Sequence, residues 1–185
     1  DAAGTGRRFS HMQAIAPNAS SSIIMGNTSP SIEPWRANAY RQDTLSGSFL
    51  NKNKYLDAII LEEAALGRPA GWYDEVWSSI IANDGSVQHL TWMDATTKEV
   101  FKTSMEIDQR WVIEHAADRQ KFIDQAISVN TSYNPAHYED GKIPMSEMIG
   151  HLLMHYKYGG KTLYYFNTND GAGEIEDQPL AAGDM

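Results

Sequence analysis

Two adjacent phenols stand near the end of the chain, Tyr164 and Tyr165 in KTLYYFNTND (161–170). A phenol can give up an electron and a proton together, so a tyrosine pair can pass a radical; packing is the ordinary alternative, because tyrosine is favoured in strands. Neighbouring strand residues point to opposite faces. A shared task therefore needs the rings to turn toward each other through rotamer choice or a local irregularity. A second candidate is PNASSS (17–22), a run of small and hydroxyl residues placed where a strand ends and a helix starts. First-turn amides, the helix dipole and serine hydroxyls together suit a phosphate. No glycine-rich loop and no lysine follow it, so it is not a Walker site, and an ordinary helix cap with solvated serines is the plain alternative. His151 and His155 lie four apart, with Glu147 one turn earlier. The HExxH pattern is absent, because Leu152 follows His151, so these three read as a solvated polar stripe and no metal site is assigned. There is no cysteine, which removes disulfides, thiolate metal sites and thiol catalysis from this chain.

The elements that would position these groups read as α/β. HMQAIAP (11–17) is an expected strand or strand end, stopped by Pro17. The next residues turn into a short helix, with Asn18 or a serine as its cap and Gly26 near its stop. Residues 28–55, rich in Ser, Pro, Asn and Gly, are expected to form a long ordered loop with short elements. Helices are expected over 54–67, 72–83 and 96–120, the last as one continuous helix with apolar residues at 100, 101, 105, 107, 111 and 112. Residues 125–133 read as a strand and 144–160 as a helix. In that helix Pro144 stands in the first turn, Gly159 at the end, and Met148, Leu152 and Tyr156 form the apolar face. Residues 161–168 close a strand–helix–strand unit, which implies parallel strands, with ligands beyond their carboxyl ends. Residues 172–185 read as a flexible acidic tail after a single unit over 1–171.

With 185 residues the chain can bury a proper core. Its formal charge of −9 disfavours a nucleic-acid surface, no stretch of membrane-spanning length is apolar, and no secretory leader is evident, so a cytoplasmic location is the expectation.

Several segments occur together in a recognisable order: RFSHMQAIAPNASSSIIMGN, SIEPWRANAYRQDTLSGSF, NDGSVQHL, RQKFIDQAISVN and GKIPMSEMIGHLLMHYKYGGKTLYYFNTNDG. Over residues 7–171 the chain resembles the C-terminal part of the large subunit of class I ribonucleoside-diphosphate reductase, of the bacteriophage-like class Ia type. The resemblance implies the C-terminal part of a ten-stranded α/β barrel that reduces ribonucleoside diphosphates to deoxyribonucleoside diphosphates. It implies that Pro17, Asn18, Ala19, Ser20 and Ser21 hold the substrate diphosphate, with Ser22 an outer candidate, and that Tyr164 and Tyr165 relay a radical. It implies as partners a small subunit carrying a metal–tyrosyl radical cofactor and the N-terminal part of the large subunit. That part would bind ATP and deoxynucleotide effectors, and thioredoxin or glutaredoxin would be the thiol reductant.

The family's radical cysteine, its redox cysteine pair and the frequent tail cysteines have no counterpart here. The chain is therefore expected to bind no cofactor itself, to be inactive alone, and to be a truncated, incomplete or naturally split piece. The alternatives are a non-enzymatic anion-binding module derived from the barrel, and an interaction protein whose tyrosines are only core.

Overall fold

The computed structural model of the chain describes residues 6, 9–26, 28, 29, 31–44 and 47–169. The expected acidic tail, 172–185, lies outside them. In order, the elements are α1 (Ala19–Ile24), a hairpin of β1 (Ala39–Thr44) and β2 (Gly47–Lys52), then α2 (Lys54–Ala65), α3 (Trp72–Ala82), α4 (Ala95–Val100), α5 (Gln109–Gln120), β3 (Thr131–Tyr133), a 3-10 turn at Pro135–His137, α6 (Met145–Lys157) and β4 (Phe166–Thr168). β3 and β4 pair in parallel, Thr131 opposite Phe166, across the α6 connection. The fold class is thus α/β with parallel strands; a closed barrel is not seen among the described residues.

Residues 11–17 are extended rather than a regular strand. They still run alongside the segment leading into β3: the amide of Gln125 donates to Gln13 O at 3.0 Å and that of Ser128 to Ile15 O at 3.2 Å. Three extended segments therefore lie side by side, with 125–133 in the middle. Val112 and Ala116 of α5 pack on Ile127 and Val129 of that middle segment, with Ile15 and Leu163 joining from the segments on either side. Gln109 and Gln120 lie on the same face of α5, about three turns apart, and both are buried. Gln109 Oε1 accepts from Ser132 N at 2.8 Å, and Gln120 Oε1 accepts from Ile127 N at 3.2 Å. These amides satisfy strand groups that no neighbouring strand reaches, as buried backbone requires.

A second core fills the excursion between 28 and 101. Leu56 and Ile60 of α2 interlock with Trp77 and Ile80 of α3, Val87 and Phe101. The loop with short elements expected over 28–55 contains an antiparallel hairpin, Ala39 opposite Lys52, which the sequence did not single out. Its polar strands gave no alternating signal. Buried Asn38 anchors it, donating from Nδ2 to Gly85 O at 3.0 Å and Phe101 O at 2.8 Å.

The helix expected over 96–120 is two. Asp94 caps α4 through Thr97 N, and Asp108 caps α5 through Arg110 N, each at 3.0 Å. Between them the amides of Thr103 and Ser104 are drawn off the helical path, to Glu106 Oε2 and Trp35 O, both at 2.8 Å. A side chain that bonds its own neighbouring amides starts a helix in place of continuing one.

Helix α6 is oriented opposite to expectation. His151 and His155 are buried, while Leu152 and Tyr156 are exposed. His151 Nδ1 pairs with the Tyr133 hydroxyl at 2.8 Å and its ring stacks on Tyr133. The His155 ring lies against Gly160, where a Cβ would fall 2.2 Å from it. Burial holds both histidines below their ordinary value of 6.5, so they fold neutral and are protonated more readily when unfolded. The stability that their burial as neutral rings contributes is therefore present above pH 6.5 and declines as pH falls below that value. Denaturation midpoints that stay flat from about pH 7 to about pH 5 contradict this.

Gly85 sits at φ +76°, and a Cβ there would lie 2.4 Å from that of Ala37. Gly85→Ala is expected to lower stability by at least about 1–3 kcal/mol, read from the urea midpoint; an unchanged midpoint contradicts the packing described.

Candidate functional site

The three extended segments run the same way, so their carboxyl ends come together. Pro17 ends the first, Asn134 follows the second and Asn169 the third. α1 begins at the first of these ends, with Asn18 O accepting from Ser22 N at 2.8 Å. Asn18 takes the cap position, although its Nδ2 turns back to Ala16 O at 2.9 Å. Pro17, Asn18, Ser20 and Ser21 are exposed and Ser22 is buried. Ala19 is the first residue of the helix. The first-turn amides of any helix have no acceptor within it, and such amides are the groups an anion can bind; in α1 they belong to the residues that start at Ala19.

Ser22, Asn134 and Asn169 share a cavity of about 620 Å³ with Trp35 and Arg36 from the excursion and Glu106 from the link between α4 and α5. Parallel α/β sheets gather ligands at such an end. Tyr164 and Tyr165 do not line this cavity. They lie further back on the third segment and are 52% and 58% exposed, so burial within this chain does not hold them.

Their rings nevertheless meet, with centroids 4.2 Å apart and planes at 55°. A regular strand would send them to opposite faces. The hydrogen bonds show why it does not. Tyr164 N donates to Val129 O at 2.8 Å, and in an unbroken parallel ladder Thr131 N would then donate to Tyr164 O. It donates to Tyr165 O instead, at 2.9 Å. The ladder resumes with Thr131 opposite Phe166 and Asn169 N on Tyr133 O. Tyr164 and Tyr165 together thus face a single residue, Asn130. This is a β-bulge, whose extra residue bends the strand and re-aims its side chains. The irregularity anticipated from the sequence is present in the backbone.

The bulge leaves the Tyr165 amide outside the ladder, and Asn130 Oδ1 accepts it at 3.2 Å. Asn130 N in turn donates to Glu33 Oε1 at 2.5 Å. Glu33 is buried and also accepts from the Ser31 hydroxyl. Neither Glu33 nor Asn130 was singled out from the sequence. The only available signal was a polar residue ending the run Ile127-Ser128-Val129. Glu147, expected on a solvated stripe, accepts from the Tyr138 hydroxyl at 2.8 Å; burial and that bond push the Tyr138 phenol up to about 12. Among the described residues no group of three or more His, Asp or Glu side chains could hold a metal, and no helix is long and apolar enough to cross a membrane.

A hydrogen bond with Tyr165, and the charge Tyr165 can carry, raise the Tyr164 phenol above 10.0. Tyr165→Phe is expected to bring the Tyr164 midpoint back toward that value, followed by NMR of ring-labelled tyrosine. A midpoint unmoved by the substitution contradicts the contact.

Comparison with known proteins adds the context. A family model described as the barrel domain of ribonucleotide reductase matches residues 1–166. The large subunit of ribonucleoside-diphosphate reductase from Invertebrate iridescent virus 6 is 54% identical over 170 residues, covering 91% of this chain and 17% of the viral subunit. The large subunit from Danio rerio is 35% identical, covering 94% of this chain and 20% of its own. The solved class Id ribonucleotide reductase alpha subunit of Actinobacillus ureae superposes with a TM-score of 0.73 at 38% identity, covering 91% of this chain and 28% of that one. The chain thus spans less than a third of the length of these relatives.

Proposed function

Because the chain belongs to the ribonucleotide reductase barrel-domain family, we propose that it contributes two working parts to the reduction of ribonucleoside diphosphates in the cytoplasm: a cradle for the substrate diphosphate and a tyrosine relay. Pro17, Asn18, Ala19, Ser20 and Ser21 form the cradle. First-turn amides of α1 and the exposed hydroxyls of Ser20 and Ser21 meet the phosphate oxygens, and the helix dipole favours their charge. Tyr164 and Tyr165 form the relay. When one phenol has lost a hydrogen atom, its neighbour replaces it with one electron and one proton, across rings 4.2 Å apart. The observation that carries this reading is the bulge, which brings two neighbouring phenols into contact on an exposed surface.

The remaining parts lie outside the residues of this sequence. With no cysteine in this chain, the thiols that reduce the ribose come from the N-terminal part of the large subunit. The metal–tyrosyl radical cofactor of the small subunit supplies the initial one-electron oxidation. Thioredoxin or glutaredoxin restores the thiols, and ATP or deoxynucleotide effectors bind outside this chain.

Two substitutions separate the parts in the assembled reductase. Ser20→Ala with Ser21→Ala raises KM for the ribonucleoside diphosphate by about tenfold with kcat little changed. Tyr164→Phe abolishes turnover with substrate binding intact. An unchanged KM sinks the cradle, and full turnover by the phenylalanine variant sinks the relay.

A further inference from the structure

We propose that Glu33 and Asn130 are positioning residues for the tyrosine pair, holding the bulge that keeps Tyr165 against Tyr164; this rests on the relay reading of those tyrosines. Neither residue touches a phenol. They act on the backbone that aims it.

The physical need comes from a strand that leaves. Ser128 N is the last amide of the middle segment to reach the first one, at Ile15 O. Two residues on, a regular ladder would send Asn130 N to Pro17 O, but the first segment ends at Pro17 and α1 begins at Ala19. Glu33 takes that amide through Oε1 at 2.5 Å. Its Oε2 lies 3.5 Å from Asn130 Nδ2. Grip on both backbone and side chain fixes the Asn130 rotamer, and with it the direction of Oδ1. Oδ1 then accepts the amide of Tyr165 that the bulge leaves unpaired, at 3.2 Å. A carboxylate acceptor makes the first link strong, and Glu33 is only 5% exposed, so water does not compete for it. The chain of contacts runs from the start of the excursion to the relay. It couples the segment beside the diphosphate cradle to the spacing of the two rings.

The geometry also dictates a compensating swap. In Asn130→Asp a second carboxylate faces Glu33, and repulsion turns Oδ1 away from Tyr165. Adding Glu33→Gln restores the pattern with roles exchanged. The carboxamide oxygen then introduced at position 33 accepts the backbone amide of position 130. Its NH2 group donates to one oxygen of the new carboxylate, and the other oxygen of that carboxylate accepts Tyr165 N.

The test uses the assembled reductase and measures kcat, KM, melting temperature and amide exchange at Tyr165. Asn130→Asp and Asn130→Ala are expected to lower kcat by about 100-fold, as a displacement of about 1 Å can, with KM changed less than about twofold. Exchange at the Tyr165 amide rises in both. Asn130→Asp with Glu33→Gln recovers most of kcat and the protection at Tyr165. A purely structural role would move melting temperature and KM as well, and the swap would not restore kcat selectively. If Asn130→Ala melts too low to assemble, Asn130→Asp and the swap decide alone. Wild-type kcat in Asn130→Asp, or a swap no more active than Asn130→Asp, overturns the proposal. Tyr165→Phe run alongside separates the two ideas. Full turnover there overturns the relay and this inference with it; loss of turnover there beside unaffected Asn130 variants overturns this inference only.

Discussion

When one strand of a parallel set turns away, the next strand keeps an amide that must still find an acceptor inside the protein. Here that amide belongs to Asn130, and the acceptor is the carboxylate of Glu33, delivered from the stretch between α1 and β1, almost a hundred residues earlier in the chain. Leaving such a group unpaired costs about 1–3 kcal/mol. The contact therefore ties the course of the loop to the course of the strand. Because Asn130 also receives the amide of Tyr165, the same contact decides how the tyrosine segment is seated.

α5 performs the comparable service along the rest of the middle segment. Its apolar residues Val112 and Ala116 bury Ile127 and Val129, while Gln109 and Gln120 reach past them to strand amides. Long amide side chains suit this role because each offers an acceptor and two donors on one rigid plane. Gln120 uses both, donating to Gln125 O at 2.9 Å while accepting from Ile127 N. The middle segment is thus held by side chains wherever its neighbours fall out of step, and among these three segments regular strand is confined to β3 and β4. The working groups sit at the margins of that framework: the short helix where one segment exits, and the bulge where another resumes its ladder.

Elements set by local chemistry were legible in the sequence. α2, α3 and α6 begin and end where their caps, glycines and proline place them, and the tyrosine pair and serine run stood out by residue type. What escaped depends on partners distant in the chain. The hairpin has polar strands, and its anchor, Asn38, bonds to residues 47 and 63 positions away. The break before α5 hinges on Asp108 and on amides held by Glu106 and Trp35. The orientation of α6 was inverted because two histidines find the Tyr133 ring and the bare surface of Gly160, contacts that outweigh the polarity of imidazole. Glu33 carries no local signal, because its importance comes from an amide 97 residues on.

The central claim is that two tyrosines share one opposing residue, and it reduces to which carbonyl receives one amide. Scalar couplings across hydrogen bonds, measured by NMR on isotope-labelled protein, answer that directly. The bulge predicts coupling from Thr131 N to the carbonyl carbon of Tyr165, beside coupling from Tyr164 N to that of Val129. Coupling from Thr131 N to the carbonyl carbon of Tyr164 would mean an unbroken ladder, rings on opposite faces, and no contact between the two phenols.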